Sequence, residues 1–166
     1  FVEDDELYFF EGGCRAGGVD EYYLWEDIYG VDFIKCLLRF AVFGSYNEPN
    51  LKEILSTAKQ DRVESVLNIL LNPGTIVEIK GADEVAKMPE VLTSYVNVVP
   101  GERIQEEFTS GQIGMRVMVS ANNKEDYIRV IDQIYQTLQF VSEDGSNMLK
   151  PRIRFEHWLF DEPMVN

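Results

Sequence analysis

Glu11 and Arg15, set among Gly12, Gly13, Gly17 and Gly18, are the residues of this 166-residue chain best equipped for chemistry. A glutamate offers hard oxygen ligands to a cation such as Mg²⁺. That ion takes only one or two protein carboxylates and completes its shell with phosphate and water. The Arg15 guanidinium is a planar, permanently charged fork that matches carboxylate or phosphate oxygens two at a time. Glycines beside these groups permit left-handed backbone and let a ligand come close to the main chain. The bare pattern leaves a second reading open. In it, Glu11 and Arg15 are solvated charges or a structural ion pair, and the paired glycines are only turns.

The element that must position these groups is the run Leu7-Tyr8-Phe9-Phe10 directly before them. Consecutive large apolar residues without polar alternation read as a strand buried on both faces. A carboxylate and a guanidinium at the mouth of such a rigid element suit a site better than a loop tip does. The order Glu11-x-Gly13-x-Arg15-x-Gly17-Gly18 after an apolar strand resembles the closing motif of the ATP-grasp ligases. The branches it is similar to are carbamoyl-phosphate synthase, biotin carboxylase and the L-amino-acid ligases. The resemblance implies Glu11 as a Mg²⁺ ligand and Arg15 as the catalytic group on the reacting substrate. It also implies Gly17 and Gly18 as backbone contacts to the cofactor or substrate. In that family ATP converts a carboxylate to an acyl phosphate, which an amine, imine or thiol then attacks. The usual pattern has a metal-binding asparagine two residues after the glutamate, and here Gly13 stands there.

Composition narrows the partners. With 45% hydrophobic and 27% charged residues the chain has the make-up of a globular protein. Its net charge of −14 opposes binding to nucleic acid or an anionic membrane, which both call for positive potential. No apolar run approaches the roughly 20 residues of a membrane span, and no basic-then-apolar signal segment opens the sequence. Cys14 and Cys36 are too few and too unpatterned for a disulfide framework or a zinc site. A cytoplasmic setting is the expectation. The sequence opens at Phe1, one strand into a hairpin whose acidic tip is Glu3 to Glu6. It is therefore read as a fragment, whose first partner is the upstream part of its own chain. An uncovered sheet edge in such a fragment also invites pairing with a second copy.

Along the chain, Asp20 is placed as the cap of a helix over Tyr22 to Tyr29, stopped by Gly30. A second helix runs from Asp32 to Phe43, with Ile34, Leu37, Leu38, Ala41 and Val42 at helical spacing and Gly44 as its stop. Asn50 with Glu53 suggests a capping box for a short helix from Leu51 to Ala58. Val63 to Leu71 and Thr75 to Lys80 flank Asn72-Pro73-Gly74 and read as a hairpin. A short helix follows Gly81, then a strand over Val91 to Val99. Ile113, Met115, Val117 and Val119 alternate along one strand face. Asn122 or Asn123 then caps a helix with Ile128, Ile131, Ile134, Tyr135 and Leu138 on its core side. Phe140 and Val141 return as a strand. Lys150 to Asn166 reads as a last strand or docked arm, and its His157, the chain's single histidine, as structural.

The resulting expectation is an α+β chain: the end of an ATP-grasp α/β domain, then a small antiparallel-sheet-plus-helix C-terminal domain. Its divisions fall at 1–44, a connection at 45–61, the C-terminal domain at 62–149 and the arm at 150–166. The function implied by the resemblance is that of a C-terminal fragment of a carbamoyl-phosphate synthase-like carboxylate–amine or –thiol ligase. Mg²⁺ and ATP would serve the full-length protein, with neither held tightly by this segment alone, and the substrates would be small carboxylates and amines. A non-catalytic ligand-binding or association module is the competing class, because fold does not decide function.

Overall fold

Short helices and antiparallel strands alternate along the computed structural model, which describes residues 2–3, 6–7, 18, 20–45, 51–56, 62–105 and 110–152. The fold class is α+β, as the order of elements predicts. A hairpin comes first, β1 (Val2–Glu3) pairing with β2 (Glu6–Leu7) so that Val2 faces Leu7. The rest of the apolar strand and the motif up to Gly17 lie outside the described residues. So does the arm from Ile153 onward, His157 included.

Helices α1 (Tyr22–Tyr29) and α2 (Phe33–Phe43) end at Gly30 and Gly44, as the spacing predicts. Asp32 caps α2 by accepting from the Lys35 amide at 2.8 Å, which satisfies one of the free donors of a first turn. Asp20 does not cap α1. The cap position is Glu21, which makes no side-chain cap bond, because the Asp20 carboxylate is committed to groups on the sheet described below. Cys36 is buried and unpaired as a thiol, in keeping with a small hydrophobe. Leu38, Phe40, Val42 and Phe43 of α2 stand exposed. The next helix is α3 (Leu51–Ser56), and the remainder of the expected span to Ala58 lies outside the described residues.

Then come β3 (Val63–Leu70), β4 (Gly74–Lys80), α4 (Ala82–Val85), β5 (Val91–Val96), β6 (Arg103–Ile104), β7 (Ile113–Ala121), α5 (Lys124–Thr137) and β8 (Gln139–Ser142). They form two antiparallel three-stranded sheets, ordered β3-β7-β5 and β6-β4-β8. The predicted hairpin across Asn72-Pro73-Gly74 is therefore corrected. β3 pairs with β7, and β4 pairs with β6 and β8. The register of β3 breaks between Ile69 and Leu70. Beyond the break, the Leu71 amide donates to the Gln112 carbonyl and the Asn72 amide to the Met148 carbonyl, rather than to β4. Crossing between sheets lets Ile69, Leu71 and Ile76 all enter one core with no exposed surface. A flat hairpin offers fewer of them that cover.

Helix α5 closes this core. Asn123 caps it, accepting from the Asp126 amide at 2.8 Å. Tyr127, Val130, Ile131 and Ile134 are its buried residues, so the core stripe sits slightly off the predicted one; Ile128 and Tyr135 are only partly covered. Tyr127 tolerates burial because its hydroxyl donates to Ser65 Oγ at 2.9 Å. Two glycines allow the close approach of elements. A Cβ on Gly81 (φ 80°) would lie 2.1 Å from the Thr137 carbonyl oxygen at the end of α5. A Cβ on Gly114 would lie 2.7 Å from Leu71 Cδ1, so that glycine serves packing.

The central strand β7 is covered on both faces. Met115, Val117, Val119 and Ala121 join the core under α5. Arg116, Met118 and Ser120 point to the other face, against which α1 packs.

Candidate functional site

Of the sequence-predicted site residues, Glu11, Arg15 and Gly17 lie outside the described residues, and Gly18 lies within them. Gly18 is exposed, and its carbonyl accepts a bond from Arg116 Nη1 at 3.4 Å. This ties the glycine end of the motif to the middle of the C-terminal sheet. The grip tightens at Asp20, whose Oδ2 lies 2.7 Å from the same Nη1.

The row that holds Asp20 follows from strand register. Arg116 stands directly opposite Asn68 on β3 and opposite Tyr95 on β5. Its Nε donates to Asn68 Oδ1 at 2.9 Å, and its guanidinium carbon lies 5.9 Å from the Tyr95 ring centre. Both aromatic hydroxyls near Asp20 donate to it, Tyr95 to Oδ2 and Tyr22 to Oδ1. The bond to Asp20 pushes the Tyr22 phenol up to about 12, since losing its proton would set two negative charges side by side. Asp20 itself has φ 59°. The left-handed region is costly for most side chains and more accessible to aspartate, whose short carboxylate bonds locally. A residue in this conformation with every acceptor engaged is a fixed point of the backbone.

A second polar group lies farther along the same face. Ser120 is fully buried, and its Oγ lies 2.8 Å from Glu64 Oε1 and 3.0 Å from Asp27 Oδ2. One hydroxyl carries one proton, so it cannot donate to both carboxylates at once; the second contact calls for a carboxyl proton. Burial pushes Glu64 up to about 7, with the Asp27 carboxylate adding to the rise and the Ser120 bond opposing it. Arg62 donates to the Ser120 carbonyl at 3.1 Å and sits 3.8 Å from Asp27. Glu64 and Ser120 are cross-strand partners, and Asp27 comes from α1. The two groups thus pin both ends of α1 to the sheet.

Neither group is set up as a nucleophile, since no histidine lies beside Ser120 among the described residues. Among those residues no cluster of three or more acidic, histidine or cysteine side chains could hold a metal ion. No described helix is long and apolar enough to cross a membrane. The sequence reading passed over Arg116, Asn68, Tyr95, Ser120 and Glu64. Its available signal was Arg116 and Ser120 inside the otherwise apolar run Met115-Arg116-Val117-Met118-Val119-Ser120-Ala121. Charge within such a run marks a covered, paired group rather than a solvated one.

Residues 69–143 match the family model of the L-amino acid ligase C-terminal domain 2. Solved structures of two ligases are among those that share the fold. The L-amino acid ligase from Bacillus licheniformis aligns over 79% of this chain and 33% of its own, with TM-score 0.62 and 18% identity. The phosphoribosylglycinamide synthetase from Anaerococcus prevotii aligns over 86% of this chain and 35% of its own, with TM-score 0.68 and 18% identity. No curated protein matches the chain by sequence. The fold is that of the C-terminal part of an ATP-grasp ligase, in agreement with the resemblance of the Glu11-to-Gly18 motif. The chain spans about a third of the length of the two structures, at 33% and 35%.

Proposed function

We propose that this chain is the C-terminal part of an ATP-dependent carboxylate–amine ligase that works through an acyl phosphate. The observation that carries the reading is the match of residues 69–143 to the L-amino acid ligase domain, in a chain that also holds Glu11-x-Gly13-x-Arg15. Among the three branches the motif is similar to, that match favours an amino-acid ligase over a carbamoyl-phosphate synthase. The substrates are then an amino acid activated at its carboxylate and an amine that attacks it.

In this reading Arg15 holds the oxygens of the reacting carboxylate through its paired N–H groups as negative charge develops. The backbone amides at Gly17 and Gly18 add neutral donors to the same anion. Glu11 is the residue that would hold Mg²⁺, its hard carboxylate oxygens being of the right type. Bound there, the ion neutralises charge on phosphate oxygens. Gly13 contributes no side-chain donor, so the metal would depend more heavily on water, phosphate and other parts of the protein.

The test is phosphate release by the full-length protein supplied with ATP, Mg²⁺ and pairs of L-amino acids. Glu11→Gln is expected to raise the Mg²⁺ concentration needed for half-maximal rate. Arg15→Lys is expected to lower kcat on the order of 100-fold, because an ammonium does not reproduce the fork. Wild-type rates and metal dependence in both variants would remove the reading's residues.

A further inference from the structure

We propose that Arg116 is a positioning residue for this reaction. It acts through Asp20 and the Gly18 carbonyl to hold the C-terminal end of the motif at one place over the sheet. The inference rests on the ligase reading for its catalytic consequence, and on geometry alone for the anchoring.

The geometry is specific. Arg116 lies on the central strand, its side chain 13% exposed, and spends Nη1 on Asp20 at 2.7 Å and on Gly18 at 3.4 Å. Asn68 orients the fork from one neighbouring strand at 2.9 Å, and Tyr95 flanks it from the other. Gly18 is the last residue of the motif and Asp20 lies two beyond it, only five positions after Arg15. Five residues of chain keep Arg15 within about 18 Å of Asp20, since each spans at most about 3.6 Å. A pure packing role for this face would be met by an apolar residue like the adjacent Met118, which is fully buried. An arginine whose donors reach a backbone carbonyl and an aspartate in left-handed conformation instead specifies where that backbone runs. Misplacing a catalytic group by about 1 Å costs on the order of 100-fold in rate, so such an anchor has a kinetic signature.

The test combines kinetics with amide hydrogen exchange on the full-length protein. Arg116→Met is expected to lower kcat roughly 10- to 100-fold with the KM for ATP unchanged, and to speed exchange of amides 11–20. Arg116→Lys, which keeps the charge opposite Asp20, is expected to recover part of the kcat and most of the protection. Asp20→Asn combined with Arg116→Met should lose less than the product of the two single losses, because both single variants break the same Asp20–Arg116 pair. Tyr95→Phe removes a single bond to Asp20 and serves where Arg116→Met does not fold. It should show faster exchange at 18–20 and a smaller fall in kcat. Unchanged kcat and exchange in these variants, multiplicative losses in the double variant, or Asp20→Asn raising a substrate KM at constant kcat would each overturn the proposal. Absence of ATP-dependent ligation in the wild-type protein would instead sink the ligase reading, and amide exchange would then decide the anchoring by itself.

Discussion

The two faces of the β3-β7-β5 sheet are buried by opposite means. On one, Met115, Val117, Val119 and Ala121 meet α5 in a continuous apolar core. On the other, Arg116 pairs with Asp20 just before α1 and Ser120 bonds Asp27 within it, with Met118 between them. The apolar face gains from area removed from water, at roughly 25 cal/mol per Å², and it tolerates small shifts. The polar face gains little net stability, because pairing there mainly offsets desolvation. What it gains is position, since a fork, a ring hydroxyl and a carboxylate meet in only one arrangement. Stability therefore resides chiefly under α5, and the placement of Gly18 and Asp20 on the face that α1 covers.

That contrast is broken most severely at the core. Ile131→Asp puts an unpaired charge into the apolar face and should cost roughly 4 kcal/mol or more, enough to unfold the C-terminal unit. Loss of the cooperative transition in a urea melt followed by circular dichroism checks it; a wild-type midpoint would mean α5 packs by another face. Gly81→Ala comes next, at roughly 3 kcal/mol, because its Cβ meets the Thr137 carbonyl and its φ of 80° disfavours a side chain. A matching Tm fall should appear with the α1 face intact, judged by the protection of Asp20.

A smaller effect sharpens the polar face. Burial pushes the Glu64 carboxyl from its ordinary 4.5 up to about 7 in the folded chain, so between those values the folded state holds the extra proton. Its contribution is complete below about pH 4.5 and is lost as pH rises through 7. Glu64 is half-buried, and solvent screening holds the loss to the order of 1 kcal/mol rather than the full linkage value. Glu64→Gln should abolish this component, and urea midpoints from pH 5 to 8 should fall less steeply than in wild type. An unchanged slope would place the proton elsewhere. The smallest effect belongs to Arg129, which pairs with Glu90 at 2.8 Å and Asp126 at 3.0 Å on the open side of α5. Arg129→Met should leave the urea midpoint where it is, as exposed pairs commonly do. A clear fall would erase the distinction between covered and solvated charge.

Periodicity determined much of this molecule. The ends of α1 and α2 at Gly30 and Gly44, the cap at Asn123 and the strand return at Phe140 are local, set by backbone preference and by apolar residues recurring at a fixed interval. The Glu11-to-Gly18 motif was legible by its residue types. Other features depended on tertiary structure. Asp20 looks like a helix cap until Arg116, 96 positions away, takes its carboxylate. The Pro73-Gly74 turn looks like a hairpin until the competition of β7 and β8 for its two strands sends them into separate sheets. Ser120 looks like the polar side of an amphipathic strand until α1 covers it. In each case the choice lay between partners distant in sequence, and a local pattern carries no information about which of them arrives.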